Sequence, residues 1–146
     1  MKNALVVAPS EGRVIECLGD RCTVKTPGSE TNGRFALLEF TSPKDVGPPP
    51  HKHAWHEGYW VIDGKIEFVI DGKRQTLTPG SWIVVPGGTV HSSKVLSDGA
   101  RYLMFAEPAG VEEFLAEVQE QTADDPGNMN KILQIAGRHG VEVVAG

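Results

Sequence analysis

The pentapeptide Val-Ile-Asp-Gly-Lys stands at residues 61–65 and returns at 69–73, eight residues later. Asp-Gly supplies the two left-handed residues that a tight type I′ hairpin requires, and eight residues is the length of one short strand plus one turn. Two copies at that interval predict an antiparallel meander and not a solenoid repeat. The same punctuation runs through most of the chain. From Arg13 to Ala106 short β-rich runs alternate with turn signals: Ser81–Val85 lies between Pro79-Gly80 and Pro86-Gly87-Gly88, His91 opens another strand, and Arg101–Ala106 supplies one more. Strands this short and turns this frequent favour an all-β core closed into a barrel or jelly roll.

Pairing about the first Asp-Gly sets Val61 opposite Ile66, Tyr59 opposite Phe68 and Glu57 opposite Ile70, so Glu57 shares its face with five apolar or aromatic residues. A carboxylate on an apolar inner face needs a cation. The opposite face carries Trp60, Ile62 and Val69 where a solvated sheet would show polar groups, and these are expected to meet the tail or a second subunit. The two cysteines flank Gly19-Asp20 in a further hairpin, which sets Cys17 opposite Cys22 and gathers Ile15, Cys17, Cys22 and Val24 on one apolar face. Opposed cross-strand thiols lie near bonding distance. In a reducing cytosol they read instead as two small buried hydrophobes, with no metal and no catalysis assigned to them.

Donors for a cation stand close to Glu57. His51, His53 and Glu57 fall within seven positions, and His91 follows after a Pro-Gly-Gly turn. Two histidines two residues apart leave the same face of an extended chain, whereas a helix would separate them by about 200°. Three imidazoles and a carboxylate suit one divalent transition metal ion, Fe, Mn, Ni, Cu or Zn, and no thiolate is near to favour a closed structural zinc site. His56 precedes Glu57 directly, so a regular strand turns it to the opposite face. By register Tyr59 and Phe68 follow the ligands on the inner face, with Trp55 in the loop beside them. These three are the candidate lining of a substrate pocket, and Tyr59 and Phe68 serve equally as barrel core.

Helical periodicity begins only after Pro108. Val111, Phe114, Leu115 and Val118 make one apolar stripe in VEEFLAEVQEQ, with Glu112, Glu113, Glu117 and Glu120 elsewhere around the helix. A second helix is predicted with Asp125 as N-cap and Pro126 next; it buries Met129, Ile132, Leu133 and Ala136 and stops at Gly140. His139, in its last turn, reads as a cation near the negative end of the helix dipole.

The 146 residues are expected to form one domain, with the barrel core at about 13–106 and the helical tail at about 109–140. A net charge of −5 with scattered Lys and Arg offers no basic stripe, which argues against nucleic acid as a partner. No apolar stretch approaches the ~18 residues of a membrane span, and the expected address is cytoplasmic.

The residues around the donors resemble the cupin superfamily, small β-barrels with two signature motifs. The first reads here as His51-Lys-His53, three residues, Glu57, six residues, Gly64. The second reads as Gly80, five residues, Pro86-Gly87-Gly88, two residues, His91, with fifteen residues between Gly64 and Gly80. The chain departs from the pattern at Gly47, which has three residues between it and His51 instead of five, and at Val95, which takes the place of a closing Asn. The tail is similar to that of small bacterial cupins of the quercetin-dioxygenase type.

The resemblance implies a jelly-roll barrel of two packed antiparallel sheets with C-terminal amphipathic helices, and makes His51, His53, Glu57 and His91 the metal ligands. It implies a small-molecule substrate, a homodimer, and a dioxygenase acting on an enol or aromatic compound, with Glu57 as general base. Two alternatives stay open. One is a redox-neutral isomerase, lyase or cyclase that uses the metal as a Lewis acid; the other is a non-catalytic metal or small-ligand sensor.

Overall fold

The structure is a computed structural model and describes residues 3–144. In chain order its strands are β1 (Arg13–Cys17), β2 (Asp20–Thr26), β3 (Ala36–Ser42), β4 (His51–Lys52), β5 (His56–Asp63), β6 (Ile66–Ile70), β7 (Lys73–Leu77), β8 (Trp82–Val85), β9 (His91–Val95) and β10 (Ala100–Glu107). Two helices follow, α1 (Val111–Gln121) and α2 (Met129–Arg138), and then β11 (Glu142–Val143). Every strand pairing is antiparallel. One sheet has the order β1-β2-β3-β10-β5-β8 and the other β11-β4-β9-β6-β7. This is the expected two-sheet jelly roll.

The core is built by alternation. Leu38 and Phe40 on β3, Tyr59 and Val61 on β5, Ile66 and Phe68 on β6, and Met104 on β10 are all buried, and their strand neighbours are more exposed, Gly58 excepted. This period of two lines the space between the sheets with apolar side chains. At one end of that space it also delivers the polar residues described below.

The two copies of Val-Ile-Asp-Gly-Lys have different fates. At the second copy β6 and β7 form the predicted hairpin: Ile70 pairs with Lys73 across Asp71-Gly72, and both turn residues are left-handed, with φ of 48° and 81°. At the first copy there is no hairpin, because β5 and β6 lie in different sheets. Both edges of β5 are already taken, by β10 through Tyr102–Val61 and by β8 through Trp82–Trp60. The chain instead crosses the barrel at Gly64, where φ is 88° and an added Cβ would lie 2.5 Å from the Gly99 carbonyl oxygen. Glu57, Tyr59 and Val61 therefore face Ile66 and Phe68 across the core and not along one sheet. They still point inward. Trp60 and Ile62 likewise belong to the outer face of one sheet and Val69 to that of the other, so the three do not form one patch. Trp60 is joined instead by Trp82, Val84 and Phe105, all exposed.

The cysteine hairpin is also corrected. Its loop is Leu18-Gly19, with φ of 57° and 74°, and its register pairs Cys17 with Asp20 and Ile15 with Cys22. Glycine takes the second central position of a type I′ turn, and Asp20 is held in the strand. A shift of two residues preserves the face. Ile15, Cys22 and Val24 are buried as expected, but the thiols are diagonal neighbours and both are free. Burial pushes the Cys17 thiol up to about 11 and the Cys22 thiol up to about 12, with nearby Asp20 contributing to both.

In the tail, α1 packs on β1 and α2 on α1. Glu112, placed on the polar side by periodicity, is buried, and its carboxylate accepts from Gly28 N at 2.7 Å and Gly110 N at 2.8 Å. Asn128, not Asp125, caps α2, accepting from Lys131 N at 3.1 Å. The helix buries Ile132, Ile135 and Ala136, while Met129 and Leu133 are 59% and 42% exposed. Those two face a cavity at the barrel mouth and not the core.

Candidate metal centre

Four buried polar residues meet where the two sheets face each other. His51 on β4 and His91 on β9 are direct cross-strand partners, with ring centroids 4.2 Å apart. His53 follows β4, and its ring lies 5.0 Å from that of His91 and 5.4 Å from that of His51. The three imidazoles offer ligand nitrogens that all lie within 4.8 Å of one another. Glu57 reaches them from β5 in the opposite sheet: Oε2 is 3.4 Å from His53 Nε2, and Oε1 is 3.3 Å from His91 Nε2.

The chain around the histidines decides which ring nitrogen faces the centre. Nδ1 of His51, His53 and His91 sits 2.8, 3.0 and 2.8 Å from the carbonyls of Pro49, Trp55 and Thr89. A carbonyl can only accept, so each Nδ1 carries the proton and each Nε2 turns a lone pair inward when the ring is neutral. Nε2 of His53 and of His91 has no hydrogen-bond partner among the described residues. Lone pairs confronting a buried carboxylate repel unless a cation stands between them, so the donor set fits a metal ion. The direction of the local titrations agrees. Burial, with His91 beside it, pulls His51 down to about 4. Burial alone would raise Glu57, yet facing His53, His91 and the Tyr59 hydroxyl hold it well below the usual carboxylate range. His91 is raised despite its burial, because Glu57 and the Thr89 carbonyl favour its charged form. Glu57 is thus held as a carboxylate beside a neutral His51.

Two aromatic residues brace the carboxylate. Trp55 Nε1 donates to Glu57 Oε2 at 2.8 Å, and the indole stacks on the His53 ring at 3.9 Å and 7°. The Tyr59 hydroxyl donates to Glu57 Oε1 at 2.6 Å; burial, together with the Glu57 charge, raises it well above the ordinary phenol value, so it keeps its proton. Trp55 and Tyr59 also line the cavity. Phe68 does not: it packs behind Tyr59 in the core, ring centroids 4.8 Å apart. His56 is exposed on the other face and accepts from Gly87 N at 2.9 Å. That bond joins the two histidine segments, as does Gly88 N donating to the His53 carbonyl at 2.7 Å. The approach is so close that a Cβ on Gly87 would lie 2.1 Å from the Ala54 carbonyl oxygen.

The cavity has a volume of about 430 Å³ and a mostly apolar wall, with His51, His53 and Glu57 at one end and α2 at its mouth. A shallower hollow of about 600 Å³ between β7 and β8 contains none of the histidines. Asp20 also lines the inner cavity, and the sequence reading missed it. With the hairpin register corrected, Asp20 falls on the apolar face beside Cys22 and Val24, the same signal that singled out Glu57.

Residues 38–106 match the model of the cupin domain family. The chain is 33% identical over 90 residues to quercetin 2,3-dioxygenase from Bacillus subtilis, a match covering 61% of this chain and 27% of that one. It thus spans about a quarter of that relative's length. KdgF from Halomonas superposes with a TM-score of 0.68 at 16% identity, covering 76% of this chain and 99% of KdgF. The polyketide cyclase RemF from Streptomyces resistomycificus superposes with a TM-score of 0.62 at 22% identity, covering 72% and 80%. At those identities the two structures speak for the fold alone. With a cupin-domain match over residues 38–106, two antiparallel sheets and three histidines positioned to bind a metal ion, the chain is similar to small cupins of the bacterial quercetin-dioxygenase type.

Proposed function

We propose that the protein is a metal-dependent oxygenase of small enol or aromatic molecules, with one divalent transition metal ion held by His51, His53, Glu57 and His91. The observation that carries this reading is a buried carboxylate facing two unpartnered imidazole nitrogens at the end of an apolar cavity. The similarity to a quercetin 2,3-dioxygenase supports the choice of reaction.

A bound divalent ion supplies Lewis acidity to an enol or phenol oxygen. The chain's own residues do the rest. The apolar wall excludes water and strengthens every charge interaction at the centre. Trp55 and Tyr59 fix both oxygens of Glu57, so the carboxylate is held for the cation. Glu57 takes a proton from the substrate only when one of those donors releases it, and Trp55→Phe, which frees Oε2, separates the two roles. We also read the outer face around Trp60 and Trp82 as a homodimer contact and the cytoplasm as the working compartment.

The test is elemental analysis of protein purified without chelator, then oxygen uptake with quercetin, a diketone and a catechol on the Fe, Mn, Ni and Cu forms. Uptake coupled to substrate loss is expected. Turnover of the zinc form without oxygen would replace the oxygenase by a redox-neutral Lewis-acid enzyme. Ligand binding with no turnover in any form would leave a sensor.

A further inference from the structure

The cavity has a second polar end. On the inner face of the six-stranded sheet the cross-strand rungs run Glu57–Ala106–Ala36, then Tyr59–Met104–Leu38–Val24, then Val61–Tyr102–Phe40–Cys22. In the same register Asp20 falls beside Ser42, three rungs from Glu57, and Ser42 Oγ donates to Asp20 Oδ1 at 2.7 Å. The buried Tyr102, its ring parallel to Phe40 at 5.1 Å, has its hydroxyl 3.1 Å from Ser42 Oγ. A chain of hydroxyls thus runs from Tyr102 through Ser42 to Asp20. Arg21 N donates to the same carboxylate oxygen at 2.8 Å.

Asp20 Oδ2 receives no hydrogen bond from the described residues. Its nearest basic neighbour in sequence, Arg21, also borders the cavity, and its guanidinium pairs with Glu16 at 3.5 Å. Asp20 and Glu57 are the two carboxylates that line the cavity, among the described residues, and the wall between them is largely aliphatic and aromatic. Glu57 has its cation site and its two donors. Asp20 has one oxygen satisfied and one left over, in surroundings where burial pushes its carboxyl up. A half-satisfied carboxylate in an apolar cavity gains most from a ligand that brings a donor to it.

We propose that Asp20 is the specificity-determining residue at the far end of the cavity, accepting through Oδ2 a hydrogen bond from a hydroxyl on the ligand end remote from the metal. This rests on the metal-centred reading of the other end. The favoured ligand is an elongated, largely aromatic molecule with an enol or phenol oxygen at one end and a second hydroxyl at the other. A hydroxyl suits the site better than an ammonium, because an apolar wall exacts a far larger desolvation cost from a full charge. Ser42 and Tyr102 are positioning residues: they hold Oδ1 so that Oδ2 is the oxygen left to the ligand.

The experiment compares two probes, 3-hydroxyflavone and its 4′-hydroxy derivative, which share the chelating head and differ in the distal hydroxyl. Binding is followed by quenching of tryptophan fluorescence, Trp55 being in the cavity wall. Metal-loaded wild-type protein is expected to bind the hydroxylated probe about tenfold more tightly, as a hydrogen bond to a charged group allows. Asp20→Ala removes that preference. Asp20→Asn keeps an oxygen for Ser42 and Arg21 N, and so protects the fold, but puts an amide NH₂ in place of Oδ2; it cuts the preference to about twofold. An undiminished preference in folded Asp20→Asn, or equal binding of both probes to wild type, overturns the assignment and leaves the metal reading standing. If stripping the metal or making His53→Ala leaves both affinities unchanged while Asp20 still controls the ratio, the subsite stands and the metal-centred reading falls. Failure of wild type to bind either probe overturns both.

Discussion

The two faces of β5 reverse the usual partition of a strand. Inward it presents Glu57, Tyr59 and Val61, and outward His56, Gly58, Trp60 and Ile62. A buried carboxylate on one side and a 42% exposed tryptophan on the other would be a costly arrangement in an isolated domain. Each is accounted for by something added to the chain: a cation inside, and in our reading a second copy outside. In that reading the strand binds on both faces, a cation within and a second copy of the chain without. A strand that broke it on one face alone would mark a defect or a single site.

The largest effect is expected inside. His91→Ala removes a ligand and leaves the Glu57 carboxylate short of partners, so metal content after dialysis should fall to background and metal should no longer raise the melting temperature; retention of stoichiometric metal would break the inner half of the comparison. Next is the outer face, where Trp60→Lys should convert a dimer to a monomer in sedimentation, with metal content unchanged. An unchanged sedimentation coefficient removes the outer half. Trp55→Phe sharpens the inner half, because it keeps the stacking on His53 and loses only the bond to Glu57; metal affinity should fall by roughly tenfold. The smallest effect is expected from Gly58→Ala. Its Cβ would lie 2.2 Å from the half-exposed Trp82 ring, which must swing off its seat, at a cost of about 1 kcal/mol in unfolding free energy and none in metal binding.

Strand positions, the inward orientation of Glu57 and the first helix were all legible in the residues, because alternation and helical period are local properties. Partners were not. Both Asp-Gly pairs announce a turn, but only the free edges of the surrounding strands decide whether the chain folds back, as at Asp71-Gly72, or crosses to the other sheet, as at Gly64. The cysteine hairpin shows the same limit on a smaller scale: Gly19 signals the turn, while the choice of Leu18-Gly19 over Gly19-Asp20 goes with the bonds that Asp20 makes to Ser42 and Arg21. That slip of two residues spared the faces and hid Asp20. In the tail, periodicity placed Met129 and Leu133 on the buried stripe with Ile132 and Ala136, since an apolar side chain facing a cavity and one facing a packed interior look alike in sequence. The bond from the Trp55 indole to Glu57 spans two residues and depends on a loop conformation that carries no periodic signature.

The strand that flanks His51 is contributed by Glu142 and Val143, with Lys52 and His51 as their partners. During synthesis on the ribosome the three histidines and Glu57 emerge some fifty residues or more ahead of that flank, as His91 and Glu142 are positioned in the chain. A nascent polypeptide thus carries every donor while the edge beside His51 is still open to solvent. The boundary of the centre on that side is complete only once Glu142 and Val143 have joined the edge beside His51.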